Sequence, residues 1–238
     1  MYIQGFIVPV PADSKDAYRE VAEKFWPIAH DYGATEHVEA WEADVADGKR
    51  TDFRRSVKLE PGEKVVFSWV IWPDKATADA SHEKMMADPR MKEMEDMPFD
   101  GKRMVFGGFE PILNEGSATG SYFDGIIIPV PTEKREAYRE AAVRAAEVFL
   151  DHGAVRDVEA WGVDVPDGKV TDFKRAVEAQ DGEAVVFSFI EWPDEQTRNE
   201  GWSKVMEDDR MKQDFNADLF DGSRMFWGGF SPIVTRGR

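Results

Sequence analysis

The chain is written twice. GFIVPVP at 5–11 returns as GIIIPVP at 125–131, and AYRE at 17–20 returns unchanged at 137–140. VEAW at 38–41 returns at 158–161, DGKRTDF at 47–53 returns as DGKVTDF at 167–173, and VVFSW at 65–69 returns as VVFSF at 185–189. All of these keep an offset of 120; RMVFGGFEPI (103–112) then matches RMFWGGFSPI (224–233) at 121, so one residue is inserted between Lys212 and Phe220. The period is far longer than the roughly 20–50 residues of a solenoid unit, and each copy has the size of a small domain. The expected organisation is a first repeat over 1–113, a polar Gly/Ser-bearing linker over 114–120 and a second repeat over 121–238.

Within one copy the pattern is mixed. Residues 2–8 alternate as a strand, which Pro9 and Pro11 should end because proline cannot donate to a sheet ladder. Residues 13–32 open on Asp13 and Ser14 and stop at Gly33, which predicts a helix. A second strand follows over 34–43, a short helical turn near 52–58, and a strand over 64–72 rich in β-branched and aromatic residues. A second helix is expected over 74–95, broken near Pro89, and a fourth strand over 103–112. The order βαββαβ is that of the ferredoxin-like unit, with helices on one face of an antiparallel sheet. Strand 64–72 is apolar on both faces, Val65, Phe67, Trp69 and Ile71 on one and Val66, Val70 and Trp72 on the other, so both faces need cover. The duplication supplies that cover. The expected fold is α+β: two ferredoxin-like repeats packed sheet to sheet as an intramolecular dimeric α/β-barrel.

The strings GFIVPVP, AYRE, VEAW, DGKRTDF, VVFSW, DPRMK, MPFDGKRM and GGFEP resemble the YbaA-like family, domain of unknown function 1428. The second half departs at DDRMK and DLFDGSRM. The resemblance implies membership of the dimeric α/β-barrel superfamily, in which single units pair through their sheets. It also implies small-molecule work: cofactor-free monooxygenases, isomerases, lyases, haem-linked enzymes and simple binders.

Composition narrows the partners. Residues 1–120 carry 23 acids and 15 bases (net −8) and the remainder 24 and 15 (net −9), so the acidity is evenly spread and argues against nucleic acid and anionic membranes. No apolar run has the length of a membrane span, and MYIQGFIVPVP has no basic region of the kind that opens a signal peptide. The absence of cysteine removes disulfides and thiolate chemistry and fits a cytoplasmic home. The oligomeric expectation is a monomer built on the internal pseudo-dimer, or a homodimer of it.

No nucleotide-binding glycine motif and no paired-histidine spacing is present. Histidines 30, 37, 82 and 152 face Leu150, Asp157, Trp202 and Tyr32 at the equivalent positions, so a duplicated histidine metal site is not expected and no cofactor is called for. The duplicated VEAW puts Glu39 beside Trp41, and Glu159 beside Trp161, on one strand face. A carboxylate on an aromatic surface needs a partner or a task. If that face lies between the sheets, Glu39 and Glu159 are candidate acid/base groups, with His37 as partner in the first repeat only. If it faces the helices, a structural arginine is the expected partner. Arg55 and Arg175 are candidate anion clamps, while Arg90 and Arg103 read as structural. Trp41, Trp161, Trp69, Tyr2 and Ser68 are candidate substrate contacts; Met85, Met86 and Met91 read as helix-borne core filler. GG at 107–108 and 228–229 reads as a bulge or close approach. The leading functional expectation is a cofactor-independent enzyme of lyase or isomerase type acting on a small apolar or aromatic substrate. The alternatives are a non-catalytic ligand-binding or stress protein and a cofactor-free monooxygenase.

Overall fold

A computed structural model describes residues 1–92, 94, 96–214 and 219–238, the side chains of 212–214 excepted. The first repeat runs β1 (Tyr2–Pro11), α1 (Lys15–Asp31), β2 (Glu36–Asp44), α2 (Phe53–Ser56), β3 (Glu63–Trp72), α3 (Lys75–Ala87), α4 (Pro89–Lys92) and β4 (Val105–Gly116). The second runs β5 (Tyr122–Pro131), α5 (Arg135–Asp151), β6 (Arg156–Asp164), α6 (Phe173–Ala176), β7 (Glu183–Trp192), α7 (Glu195–Glu207), α8 (Asp209–Asp214) and β8 (Phe226–Arg236).

Local chemistry sets several of these boundaries. Asp52 and Asp172 cap α2 and α6, and Asp74 caps α3 by accepting from the Thr77 amide at 2.7 Å. Gly33, at φ +106°, takes the left-handed turn after α1. The break expected near Pro89 falls between Ala87 and Pro89, with Asp88 extended.

The eight strands form one closed antiparallel barrel in the order β1-β3-β2-β8-β5-β7-β6-β4. This corrects the expected packing of one sheet on another. β4 starts against β1 over Val105–Phe109, then pairs with β6 from Gly108 to Gly116. β8 does the same between β5 and β2. Each edge strand is thereby hydrogen-bonded to the other repeat and no edge is left open. Residues 114–116, expected in the linker, belong to β4 for this reason. The crossing strand turns at Gly108, where the β4–β6 register shifts. A Cβ there would lie 1.7 Å from the Tyr2 hydroxyl, so only glycine admits the approach.

The barrel interior is filled. Equivalent residues of the two repeats stack across it, Phe67 on Phe187 at 4.7 Å and Trp69 on Phe189 at 4.1 Å between ring centroids. Phe53 meets Phe230, and Phe109 meets Phe173, edge to face. Gly5 and Gly125 make room for these rings: a Cβ on Gly5 would sit 2.6 Å from Phe187 and one on Gly125 2.9 Å from Phe67. The cavity expected between the sheets is therefore occupied by protein. Space for a ligand lies on the outer faces of the barrel, beneath the helices.

Candidate functional site

Strand β2 decides where its carboxylate goes. Val38 and Ala40 point into the barrel core, and β2 pairs with β3 so that Glu39 stands opposite Ser68. His37, Glu39 and Trp41 consequently face outward, toward α1. β6 repeats the arrangement, with Val158 and Ala160 inward and Glu159 opposite Ser188.

Beneath α1 and α3 lies a cavity of about 490 Å³. Its walls are mainly apolar, and Met85, Met86, Met91, Met94, Met97 and Met104 all contribute. The polar floor is a short chain of hydrogen bonds. The Tyr18 hydroxyl, from AYRE on α1, donates to Glu39 Oε2 at 2.7 Å, and His37 Nε2 lies 2.9 Å from Glu39 Oε1. Glu39 thus faces the helices, yet its partners are a phenol and an imidazole where an arginine was expected. The helix brings a phenol to the carboxylate, and no lysine or arginine bonds it among the described residues. Burial pushes the Tyr18 phenol well above its ordinary value, and the neighbouring Glu39 carboxylate raises it further. The Tyr18 proton therefore stays on the phenol. His37 packs edge-on to Phe25 and parallel to Trp26, and its Nδ1 is buried without a partner among the described residues. No lysine or arginine lines this cavity among the described residues.

The second cavity is larger, about 950 Å³, and lies under α5 and α7. Tyr138 donates to Glu159 Oε2 at 2.8 Å and Ser188 to Oε1 at 2.9 Å. Where the first repeat has His37, Asp157 stands beside Glu159, and its Oδ1 has no partner among the described residues. Burial pushes Glu159 up to about 7. Burial, and then the charge of Glu159, pushes Asp157 well above the ordinary carboxylate range.

Of the candidate residues, Glu39, His37, Ser68 and Tyr2 meet at the first cavity, and Glu159 lines the second. The others lie elsewhere. Arg55 and Arg175 sit across a small cleft where α2 meets α6, each bonded to the carbonyl of the DG loop (Gly48 or Gly168) and to the capping Asp52 or Asp172, so neither can clamp a substrate against Glu39. Trp69 is barrel core, with its indole N–H donating to Glu36. Trp41 and Trp161 are buried beneath the cations of Lys15 and Arg135, and do not line either cavity. Arg90 pairs with Asp88 and Asp31, and Arg103 with Glu63 and Asp100. Met85 is core and Met91 packs against it, as read, and both, with Met86, also line the cavity wall. The sequence reading missed Tyr18 and Tyr138, whose signal was present: a tyrosine kept at the same helical position in both copies. It also missed Phe106 and Trp227, the half-exposed aromatic residues that precede each GG and line the first and second cavity.

No group of histidines and carboxylates able to hold a metal occurs among the described residues, and among them no helix is long and apolar enough to cross a membrane. An eight-stranded barrel closed by two copies of one unit, with helices on its outer faces, is a dimeric α/β-barrel made within a single chain. The chain belongs to the family described as "Protein of unknown function (DUF1428)", whose model matches residues 1–101 and again 121–222. It is 59% identical over 115 residues to "Uncharacterized protein YbaA" of Escherichia coli K12, an alignment covering 98% of that protein and 48% of this chain. The Shigella flexneri protein of the same name matches equally. Among solved structures, the fold is similar to a "putative monooxygenase" of Fusobacterium nucleatum (TM-score 0.61, 10% identity, 98% of this chain and 93% of that one). It is also similar to an "anthrone oxidase-like protein" (TM-score 0.58, 12% identity, 99% of this chain and 92% of that one).

Proposed function

We propose that the first cavity is an active site in which Glu39 takes a proton from a small, neutral, apolar or aromatic substrate. The observation that carries this reading is the chain Tyr18–Glu39–His37 at the floor of an apolar cavity. Two donors fix the carboxylate in one orientation, which is what a general base needs. The breaking C–H or O–H bond leaves its electron pair on the substrate, and the proton goes to a Glu39 oxygen. Return of that proton at another atom is isomerisation; loss of a neighbouring group is a lyase reaction. With no lysine or arginine on the cavity wall among the described residues, the substrate is not an anion where it is held, and the anion clamp assigned to Arg55 is not needed.

A second reading shares the first step. The deprotonated substrate meets dioxygen from solution and is oxygenated without a cofactor. The likeness of fold to proteins named as a monooxygenase and as anthrone oxidase-like supports it. Each repeat is read as a ferredoxin-like unit, the first extended from the expected 1–113 to Gly116 by β4 and the second over 121–238, because its strands follow the order β4-β1-β3-β2 or β8-β5-β7-β6. Pairing within the chain supports a monomeric protein.

The test is hydrogen exchange on a panel of apolar ketones and phenols in D₂O, followed by NMR, with an oxygen electrode alongside. Exchange by the wild type that falls at least about 100-fold in Glu39→Gln supports the base; oxygen uptake selects the second reading. Equal exchange by wild type and Glu39→Gln removes Glu39 from the mechanism. Ligand-induced thermal stabilisation with no exchange on any panel member would make the protein a binder.

A further inference from the structure

The second cavity has a polar floor unlike the first. Asp157 and Glu159 leave the same face of β6, two residues apart, and both line the cavity. Glu159 has its two oxygens occupied by Tyr138 and Ser188. Asp157 is only 2% exposed and its Oδ1 is unpartnered among the described residues. A buried acceptor without a donor is costly, and costs more when it is a carboxylate beside a second one. The first repeat has His37 at the equivalent position, bonded to Glu39, so no second carboxylate stands there.

We propose that the second cavity is a binding site for a protonated amine carrying an apolar body, with Asp157 and Glu159 receiving the ammonium group. An ammonium has N–H donors and no acceptor, which matches a floor whose unfilled capacity is for accepting. Trp202 and Trp227 also line the cavity, and an indole ring can attract a cation where a neutral group gains nothing comparable. The remaining charged groups leave the match intact. Arg224 is held by Glu183 and Asp221, so it presents no free positive charge to the floor. Lys134 approaches from the turn before α5 and also has its own interaction. Tyr138, under α5, contributes a neutral phenol bonded to Glu159.

This site is independent of the reaction assigned to the first cavity. Its ligand class follows from one substitution between the repeats, histidine in the first and aspartate in the second.

The experiment is isothermal titration of the full chain with octylamine, octanol and octanoate at pH 8, on wild type, Asp157→Asn and Glu39→Gln. The three probes share an apolar tail and differ at the head. Wild type should bind octylamine at least about tenfold more tightly than octanol, as a charge-assisted contact provides. Asp157→Asn should lose that preference while binding octanol as before; octanol binding also shows that the variant is folded. Glu39→Gln should keep the preference, which places it in the second cavity. Equal affinity of wild type for octylamine and octanol would overturn the proposal, as would an amine preference that survives Asp157→Asn or disappears in Glu39→Gln.

Discussion

Replacing Glu159 by glutamine should stabilise the protein above neutral pH and leave it nearly unchanged in acid. Burial raises this carboxyl from its usual 4.5 to about 7. Between those values the folded chain keeps the proton and the unfolded chain has lost it. Stability therefore falls as pH rises across that window and levels off above it. The slope is about 1.4 kcal/mol per pH unit and the whole loss is on the order of 3 kcal/mol. Full burial of the group means that solvent screening does not diminish it. Glutamine has no proton to lose, and its amide oxygen can still accept from Tyr138. Urea denaturation at pH 5 and pH 8 measures the effect. The variant should match wild type at the lower pH to within about 1 kcal/mol, the usual scale of a neutral hydrogen-bond change. At pH 8 it should be more stable by about 3 kcal/mol. If wild type and variant lost stability in parallel between the two pH values, the carboxylate of Glu159 would not be held as described.

Gly5→Ala should cost about 1–3 kcal/mol in chemical denaturation, because the added methyl meets the Phe187 ring at 2.6 Å inside a barrel with no space to yield. Phe187→Ala should cost more, about 3–5 kcal/mol, since the ring stacks on Phe67 and touches Phe109, Phe173 and Phe189. Arg156→Met should also cost about 3–5 kcal/mol at neutral pH, with partial recovery in acid, because Glu36 and Glu191 would lose the buried guanidinium they share. A thermal melt of this variant that did not improve on acidification would contradict that account.

Much of the architecture could be read from the residues, for identifiable reasons. The repeat of GFIVPVP and VVFSW implied two copies; Pro11 and Gly33 marked the ends of elements, whereas β1 runs on through Pro9, beyond the expected end at residue 8. The two-faced apolar pattern of β3 implied cover on both sides: aromatic rings from the other repeat cover one face and helices the other. The dimeric α/β-barrel was expected from the resemblance, but its closure through strand edges was not legible, because side-chain pattern reports the faces of a strand and says nothing of its edges. The orientation of β2 escaped for a related reason. Val38 and Ala40 on one face and Trp41 on the other are all apolar, so alternation alone could not choose the inward side. The interior chose it: the barrel is filled by phenylalanine and tryptophan from β3 and β7, which leaves room for alanine and valine but not for a second tryptophan. Arg55 was misplaced because DGKRTDF folds back on itself through Asp52, which holds Arg55 at the cleft between α2 and α6 and away from the lining of the first cavity.

The crossing of β4 and β8 also bears on how the chain is made. β2 is complete by residue 44, yet its outer edge pairs with residues 229–236, the last strand of the chain. During synthesis the first repeat must therefore wait with that edge unpaired until β8 has been made. Contacts so distant in sequence form slowly, and an open strand edge invites pairing with other nascent chains. The delay is longest for one strand, β2, which carries His37 and Glu39. Truncation within β8 would leave the part of the protein made first unable to close.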